Sequence, residues 1–220
     1  MNGEKVSRPS LTCQRTFNGK VGDVLQRPLT GEPLGLDLVD TQWVDRGQAC
    51  DLFDEPGGTA SWLREHALDA AGSDADVAAV EAALRETRLA LRRALERADE
   101  GADDALNAVL ARGAVHRWVR RGVVGDRVDV PDEWRPAWCA AASYLELLRD
   151  RPERIRRCAH PACVLYFYDT SRNGTRRWCS MTGCGSRAKA SRHYSRTRGA
   201  LAGAVEVPEG PARTNPRSMP

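Results

Sequence analysis

Four cysteines between residues 158 and 184 are the side chains of this sequence best suited to chemistry. They form two C-x4-C pairs, Cys158 with Cys163 and Cys179 with Cys184, and fifteen residues separate the pairs. Structural zinc sites usually take four ligands from two closely spaced pairs, with cysteine sulfur preferred. The spacing therefore predicts one structural zinc ion, which would supply folding free energy that so small a module lacks.

Other chemistries of these cysteines are less favoured. Two disulfides require an oxidising compartment, and the first twenty residues have no apolar core of the kind found in a secretory signal. We therefore expect a cytoplasmic protein with reduced thiols. A redox pair usually has the spacing C-x-x-C, and a catalytic zinc keeps an open position that four cysteines would close. His160 and His193 are alternative ligands, and His160, inside the first pair, is the better placed.

Positive charge is concentrated around the cysteines. Residues 151–198 contain eleven Arg and one Lys against Glu153 and Asp169, a net charge of +10, so the rest of the chain carries −7 within the total of +3. Arg and Lys bind phosphates through charge and forked hydrogen bonds, so a basic block beside an acidic body favours a polyanionic partner. A solvated basic surface without a partner is the simpler alternative.

Double-stranded DNA is the partner we expect for these basic side chains. They lie near the cysteines and on a predicted helix after Cys184, where Lys189, Arg192 and Arg196 share one face. Some arginines are expected to cover the acidic body instead, and Arg177 and Arg187 are the best candidates for that structural role. The complete candidate set for nucleic-acid binding is Arg172, Arg176, Arg177, Arg187, Lys189, Arg192, Arg196 and Arg198.

The elements that must position these residues begin with a small hairpin. Residues 164–169 (VLYFYD) have the β-branched and aromatic composition of a strand. Asn173-Gly174 is a strong hairpin-turn signal, and residues 176–180 (RRWCS) are the expected return strand. Knuckle, hairpin, second knuckle and helix are the order of a treble-clef-like zinc finger.

The chain before the cysteines is expected to be mainly helical, with a small β-hairpin over 114–130 that turns near 122–126. Residues 34–43 (LGLDLVDTQW) fit either a short strand or the start of a helix. The long helix is expected to be capped by Ser73 or Asp74 and ended by Gly101. The expected helices cover about 60–71, 74–101, 103–113 and 136–150.

Composition and length fit a globular chain of two modules. Hydrophobic residues make up 41% and charged residues 29% of the 220 residues, which is typical of soluble proteins. No apolar run approaches the ~20 residues of a membrane span. The predicted organisation is a disordered leader over 1–32, a helical domain over 33–150, a zinc finger over 151–199 and a disordered tail over 200–220.

The cysteine-rich segment resembles the CGNR zinc finger family. The N-terminal body is similar to the ABATE domain that accompanies this finger, through LGLDLVDTQW, SWLREH, ALRETRLALRRAL and LNAVLA. The resemblance implies a structural zinc and a role in transcription regulation, in some members as a response to stress. The finger positions that carry it are Cys158, Cys163, Phe167, Asp169, Ser171, Arg176, Arg177, Trp178, Cys179, Ser180, Met181, Cys184, Gly185, Arg187 and Lys189.

Two positions depart from the family pattern. Ser186 stands where the motif that names the finger has Asn, and Ser retains a side chain able to cap a helix start. Asp40 stands where the ABATE segment more often has Asn, in LDLVNT. If that Asn serves the structure, Asp can replace it; if it contacts a ligand, the choice of ligand changes.

We therefore predict a DNA-binding transcription regulator with a structural zinc finger and an N-terminal domain that regulates or dimerises. Its predicted partners are DNA, a small-molecule effector near Asp40 and Trp43, and a second copy of the chain, without a membrane. The alternative is a protein-interaction or RNA-binding module in which zinc is only a structural staple. We expect no enzyme, because Asp37, Asp40 and Asp45 have no recognisable catalytic partner in sequence, and His66 and His116 are isolated.

Overall fold

The computed structural model of the chain describes residues 26–68 and 76–191. Residues 1–185 form one unit and residues 186–220 a second. Most of the predicted leader, the whole predicted tail and the Ser73 and Asp74 caps lie outside the described residues. So do Arg192, His193, Arg196 and Arg198.

Helices dominate the N-terminal part of the first unit. In the part of the first unit that the structure describes, the α-helices are α1 Leu34–Val39, α2 Gly58–Glu65, α3 Val77–Glu96, α4 Ala102–Leu110 and α5 Arg135–Asp150. The strands pair as three antiparallel two-stranded hairpins, β1 with β2, β3 with β4, and β5 with β6. Their bounds are β1 Gln42–Asp45, β2 Gln48–Asp51, β3 Ala114–Arg120, β4 Val123–Asp129, β5 Ile155–Arg157 and β6 Tyr166–Tyr168. The predicted class, a mainly helical domain plus a small zinc finger, is confirmed.

The ambiguous segment over 34–43 contains both a helix and the start of a strand. The six-residue α1 is buried at five positions, since it packs against α3 and α5. A helix buried on every side shows no amphipathic period, so the sequence pattern could not identify it. β1 begins two residues after the cap of α1 and forms a hairpin with β2.

Several predicted helix ends shift in the structure. α2 ends at Glu65 instead of near Ala71. The side chain of Asp76 caps α3 by accepting a hydrogen bond from the N–H of Ala78, as expected for an N-cap carboxylate. α3 stops before Gly101, because Arg97 adopts a left-handed conformation directly after Glu96.

The finger pairs its strands differently from the prediction. β6 pairs with β5, across the first cysteine pair, and residues 176–180 form no strand. Asn173-Gly174 does lie in a turn, where the N–H of Gly174 donates to the carbonyl of Ser171 at 3.1 Å. The expected return strand is wrong because the backbone N–H of Arg176 donates to a carboxylate of Asp169 instead of to a strand.

One apolar core joins the N-terminal helices to the finger. Trp62 and Leu36 lie in the same buried cluster as Phe167 and the cysteines Cys158 and Cys184. Trp62, Leu36 and Phe167 each have 0% of their surface exposed. The finger up to Gly185 is therefore built into the first unit instead of hanging from a linker. In the described residues, each helix is too short or too polar to cross a membrane.

Candidate metal centre and nucleic-acid surface

Short backbone contacts bring the two cysteine pairs together. Cys158 directly follows β5, and its N–H donates to the carbonyl of Leu165 at 2.9 Å, which closes the loop that carries Cys163. The N–H of Cys179 donates to Sγ of Cys158 at 3.4 Å. Cys184 lies in a single π-helical turn, Met181–Gly185. The two pairs thus face each other across a small buried space.

The four sulfurs have the spacing of a tetrahedral zinc site. Sγ of Cys179 lies 3.9 Å from Sγ of Cys163 and 3.6 Å from Sγ of Cys184. All four Sγ atoms lie within 4.8 Å of one another, and all four residues are buried. Four sulfurs bound to zinc at about 2.3 Å would lie about 3.8 Å apart. The site therefore fits one structural zinc ion with a closed shell of cysteine ligands.

Hydrogen bonding among the thiols shifts their pKa values in opposite directions. Hydrogen bonds from Cys163 and Cys179 lower the pKa of the Cys158 thiol far below its usual range. The hydrogen bond to Cys158 in turn raises the pKa of Cys163 to about 12, and the pKa of Cys179 is also raised, first through Cys158 and then through Cys163. One thiolate thus disfavours the next, a conflict that a bound divalent cation removes.

Geometry speaks against two of the alternatives left by the sequence, the disulfides and His160, whereas His193 lies outside the described residues. A disulfide would need sulfurs about 2.05 Å apart, whereas Sγ of Cys179 lies at almost twice that distance from Sγ of Cys163 and Sγ of Cys184. His160 is not part of the sulfur cluster. Its Nδ1 accepts a hydrogen bond from the N–H of Ala162 at 3.3 Å, so it helps to shape the first loop.

A buried carboxylate organises the segment between the cysteine pairs. Asp169 accepts hydrogen bonds from the N–H and the hydroxyl of Ser171 and from the N–H of Arg176. Burial raises the pKa of Asp169, but these hydrogen bonds outweigh it and hold the pKa below its ordinary value. Asp169 and Ser171 therefore hold the turn that delivers Cys179 to the site.

Two carboxylates from the N-terminal part of the chain accept hydrogen bonds from the backbone N–H groups of β6. The N–H of Tyr166 donates to Oδ1 of Asp40 at 2.9 Å, and the N–H of Tyr168 donates to Oε2 of Glu32 at 2.8 Å. Arg92 on α3 adds donors to the carbonyls of Val39 and Val164, at 3.0 and 3.4 Å. Asp40 thus serves the structure by joining the helical body to the finger.

Comparison with protein families gives two matches. Residues 154–197 match the CGNR zinc finger. Residues 32–151, more than half of the chain, match ABATE, whose description is "Putative stress-induced transcription regulator". The chain belongs to the ABATE family. No curated protein sequence matches it. The ABATE segment contains Asp40, and the CGNR segment contains all four cysteines.

Within the CGNR finger, one residue predicted to contact DNA instead makes its contacts within the protein. The guanidinium of Arg176 lies 4.2 Å from the ring centre of Phe167. It donates to the carbonyls of Trp178 and Cys179, at 3.1 and 2.6 Å, and to Glu32 at 3.2 Å. Its partners are therefore the finger and the ABATE domain, and we remove it from the nucleic-acid candidates.

The other predicted contacts that the structure describes are exposed. Arg172 lies at the turn of the finger, and Arg177 extends over the Trp178 ring at 5.3 Å instead of serving the structural role expected for it. In the second unit, residues 186–191 are helical, as predicted for the start of a helix, and Arg187 and Lys189 are exposed there. Ser186 is the first residue of this helical segment.

A buried polar cluster in the ABATE domain was not predicted from the sequence. Oδ1 of Asp37 accepts hydrogen bonds from Arg27 and Trp62 and contacts Nε2 of His66, at 2.6, 2.9 and 3.0 Å. The pairing with His66 spans 29 positions, so no motif could show it. Glu65 completes a group with metal-ligand types, but it is bound to Arg27 at 2.7 Å. The group is therefore an ion-pair cluster that anchors α1.

A cavity of about 540 Å³ lies between the β1–β2 hairpin and the finger. Its walls include Trp43, Cys50, Glu55, Arg92 on α3 and Val164 of the first cysteine loop. Ligand sites commonly have volumes of about 300–1,000 Å³ and mixed apolar and polar walls. The cavity is next to the hydrogen bonds that Arg92 makes with Val39 and Val164, and thus lies where body and finger meet.

Proposed function

We propose that this ABATE-family protein regulates transcription by binding double-stranded DNA through its CGNR finger. The zinc ion holds the finger in shape, and exposed arginines and lysine contact phosphates. The observation that supports this most directly is a division among the arginines. Arg154 and Arg176 donate to carbonyls of the finger itself, whereas Arg172 and Arg177 are exposed.

Zinc ligation would fix the position of at least one exposed charge. Arg177 is two residues from the ligand Cys179, and the carbonyl of Arg177 accepts a hydrogen bond from the N–H of Ala159 in the first loop at 2.8 Å. A backbone held on both sides presents its side chain in a narrow range of directions, which favours phosphate binding because less ordering is needed. In the second unit, Arg187 and Lys189 are exposed on the helical segment 186–191 and would supply phosphate contacts of their own.

The experiment is a salt titration of duplex DNA binding by the zinc-loaded full chain. Affinity should fall linearly on a log–log scale, and Arg172→Ala with Arg177→Ala should weaken binding and reduce the slope by about 2, one for each phosphate that is no longer neutralised. Arg187→Ala with Lys189→Ala should act in the same way. Zinc content and melting temperature are measured for every variant, so that a folding defect is not mistaken for weaker DNA binding.

A matched control removes two exposed arginines from the ABATE domain. Arg46 and Arg149 are exposed, and their double change to Ala alters net charge by the same amount without touching the finger. Equal losses of affinity in both double variants would mean that net charge alone drives binding. Absence of DNA binding at low salt favours the protein-interaction alternative, and tighter binding to RNA than to DNA of the same length favours the RNA alternative.

We further propose that the cavity beside Trp43 receives a small-molecule effector. A ligand there would contact both Arg92 and Val164 and could therefore change how the finger is held. A thermal-shift screen would compare the wild type with Ala49→Trp, since Ala49 is an exposed wall residue and a large side chain would fill the space. Compounds that stabilise only the wild type and also change DNA affinity are the expected result. A screen without such compounds counts against an effector site.

A further inference from the structure

The β3–β4 hairpin exposes an unusual amount of apolar surface. All seven positions of β3 and five of the seven positions of β4 are exposed. Val119 and Val124 have 71% and 73% of their surface accessible, and Val115 has 48%. Two-stranded hairpins are marginally stable in water on their own, so a valine-rich hairpin without cover is typical of an interaction surface.

The register sorts the side chains into two faces. Directly opposite residues lie on the same face of an antiparallel pair. One face carries the pairs Val115–Val128, Arg117–Asp126 and Val119–Val124, and we call it the valine face. On the other face Trp118 covers Gly125 so closely that an added Cβ would lie 2.3 Å from the indole. Trp118 therefore covers part of the second face, whereas Val119 and Val124 on the valine face are both more than 70% exposed.

The charges of the valine face make it complementary to itself. Arg117 and Asp126 form its central pair; their Nε and Oδ1 are 3.8 Å apart, and the side chains are 85% and 56% exposed. A two-fold axis parallel to the strands would place β3 of one copy over β4 of the second, with Arg117 opposite Asp126 and valine opposite valine. An axis perpendicular to the strands would place Arg117 opposite Arg117, which costs free energy through like-charge repulsion.

We propose that the valine face is a self-association surface, on which two copies of this chain pair through a two-fold axis parallel to β3 and β4. Strands of seven residues are about 23 Å long, so two of them give a face of only a few hundred Å², less than the roughly 800 Å² per partner of a stable complex. The dimer should therefore be transient and form at micromolar concentration. Isologous pairing of this kind is the commonest symmetry of homo-oligomers.

The test is sedimentation equilibrium of the zinc-loaded full chain without DNA, from about 1 to about 200 µM, the range expected for an interface of this size. The wild type should be a monomer at the low end and a dimer at the high end. Arg117→Asp and Asp126→Arg should each be monomeric, because like charges then meet. An equimolar mixture of the two variants should dimerise, because each copy supplies the charge that the other needs.

Two further variants separate assembly from folding. Val119→Thr with Val124→Thr keeps the β-branched shape that strands favour but removes apolar surface, and should raise the dissociation constant at least about ten-fold. Arg127→Asp changes charge on the Trp118 face and should leave the dimer intact. The proposal is overturned if the wild type stays monomeric. It is also overturned if the dissociation constant of the dimer is unchanged by both charge reversals and by the double threonine change. Because no DNA is present, its failure is distinct from failure of DNA binding.

Discussion

The carboxylate of Asp40 accepts a hydrogen bond from the backbone N–H of Tyr166 at 2.9 Å, across 126 positions of sequence. Asp40 caps the end of α1 and Tyr166 begins β6, so this hydrogen bond ties the ABATE domain to the finger. The second oxygen, Oδ2, is buried without a hydrogen-bond partner. Burial raises the pKa of Asp40 well above its ordinary value, since the Tyr166 N–H and Arg92 offset the loss of hydration only in part.

We expect Asp40→Asn to raise the free energy of unfolding near pH 7 by on the order of 1–2 kcal/mol. The amide keeps the acceptor for Tyr166 but removes the cost of a buried charge. The pKa of Asp40 is higher in the folded protein than in the unfolded chain, so ionisation of Asp40 destabilises the folded wild type at high pH. This destabilisation disappears as the pH falls through the folded pKa towards the ordinary value of 3.8. The gain should therefore shrink with acidification, as measured by melting temperatures of both proteins between pH 5 and pH 8. A less stable Asn variant at every pH would contradict this account.

Removing the Cys179 ligand should lower both the zinc content and the stability of the protein. The purified chain should contain about one zinc, and Cys179→Ala should lose it and unfold the finger, because zinc ligation supplies several kcal/mol of folding free energy. Elemental analysis combined with thermal unfolding measures both effects. Cys139, outside the sulfur cluster and not fully buried, is the matched control. A zinc-free wild type, or a variant that melts like the wild type, would refute the metal site.

Arg176 should behave as a structural residue and Arg172 as a surface one. Arg176→Ala should lower the free energy of unfolding by about 2–3 kcal/mol, since it removes charged hydrogen bonds and a cation–π interaction together. Lysine should restore little of it, because an ammonium cannot replace the forked donors of guanidinium. Arg172→Ala should change stability by less than about 0.5 kcal/mol, as surface substitutions usually do. Denaturant unfolding of the three variants compares them, and equal effects of Arg172 and Arg176 would contradict the assignment.

The Asp37 cluster should stabilise the ABATE domain more than any exposed carboxylate. Asp37→Asn should cost about 3 kcal/mol, because it removes the buried one of the two carboxylates that pair with Arg27 and leaves only Glu65, which is 40% exposed; the side chains of Asp37 and Arg27 are 0% and 3% exposed. Burial raises the pKa of Asp37, but His66, Arg27 and Trp62 outweigh it and lower the pKa below 3.8. Its contribution is therefore present above pH 3.8 and is lost as the pH falls through the folded pKa. Asp104→Asn, at an exposed position of α4, should change the denaturation midpoint little at any of these pH values.

The spacing of residues in the sequence was sufficient to predict the metal site and most of the helices. Cys158, Cys163, Cys179 and Cys184 are close in the chain, and ligand type plus spacing restrict the chemistry before any fold is known. Amphipathic helices such as α3 and α5 have the same advantage, because a local period of 3.6 residues reports one buried face. The short α1 has no such period, since its surroundings bury it on all sides.

Only the tertiary structure decided what lies opposite each residue over long distances. It paired β6 with β5 instead of with residues 176–180, gave Arg176 and not Arg177 the structural role, and joined Asp37 to His66. It also placed Asp40 against Tyr166 and left Val119 and Val124 of the valine face exposed. These outcomes depend on competition among donors and acceptors far apart in sequence, and a local pattern of residue types carries no record of that competition.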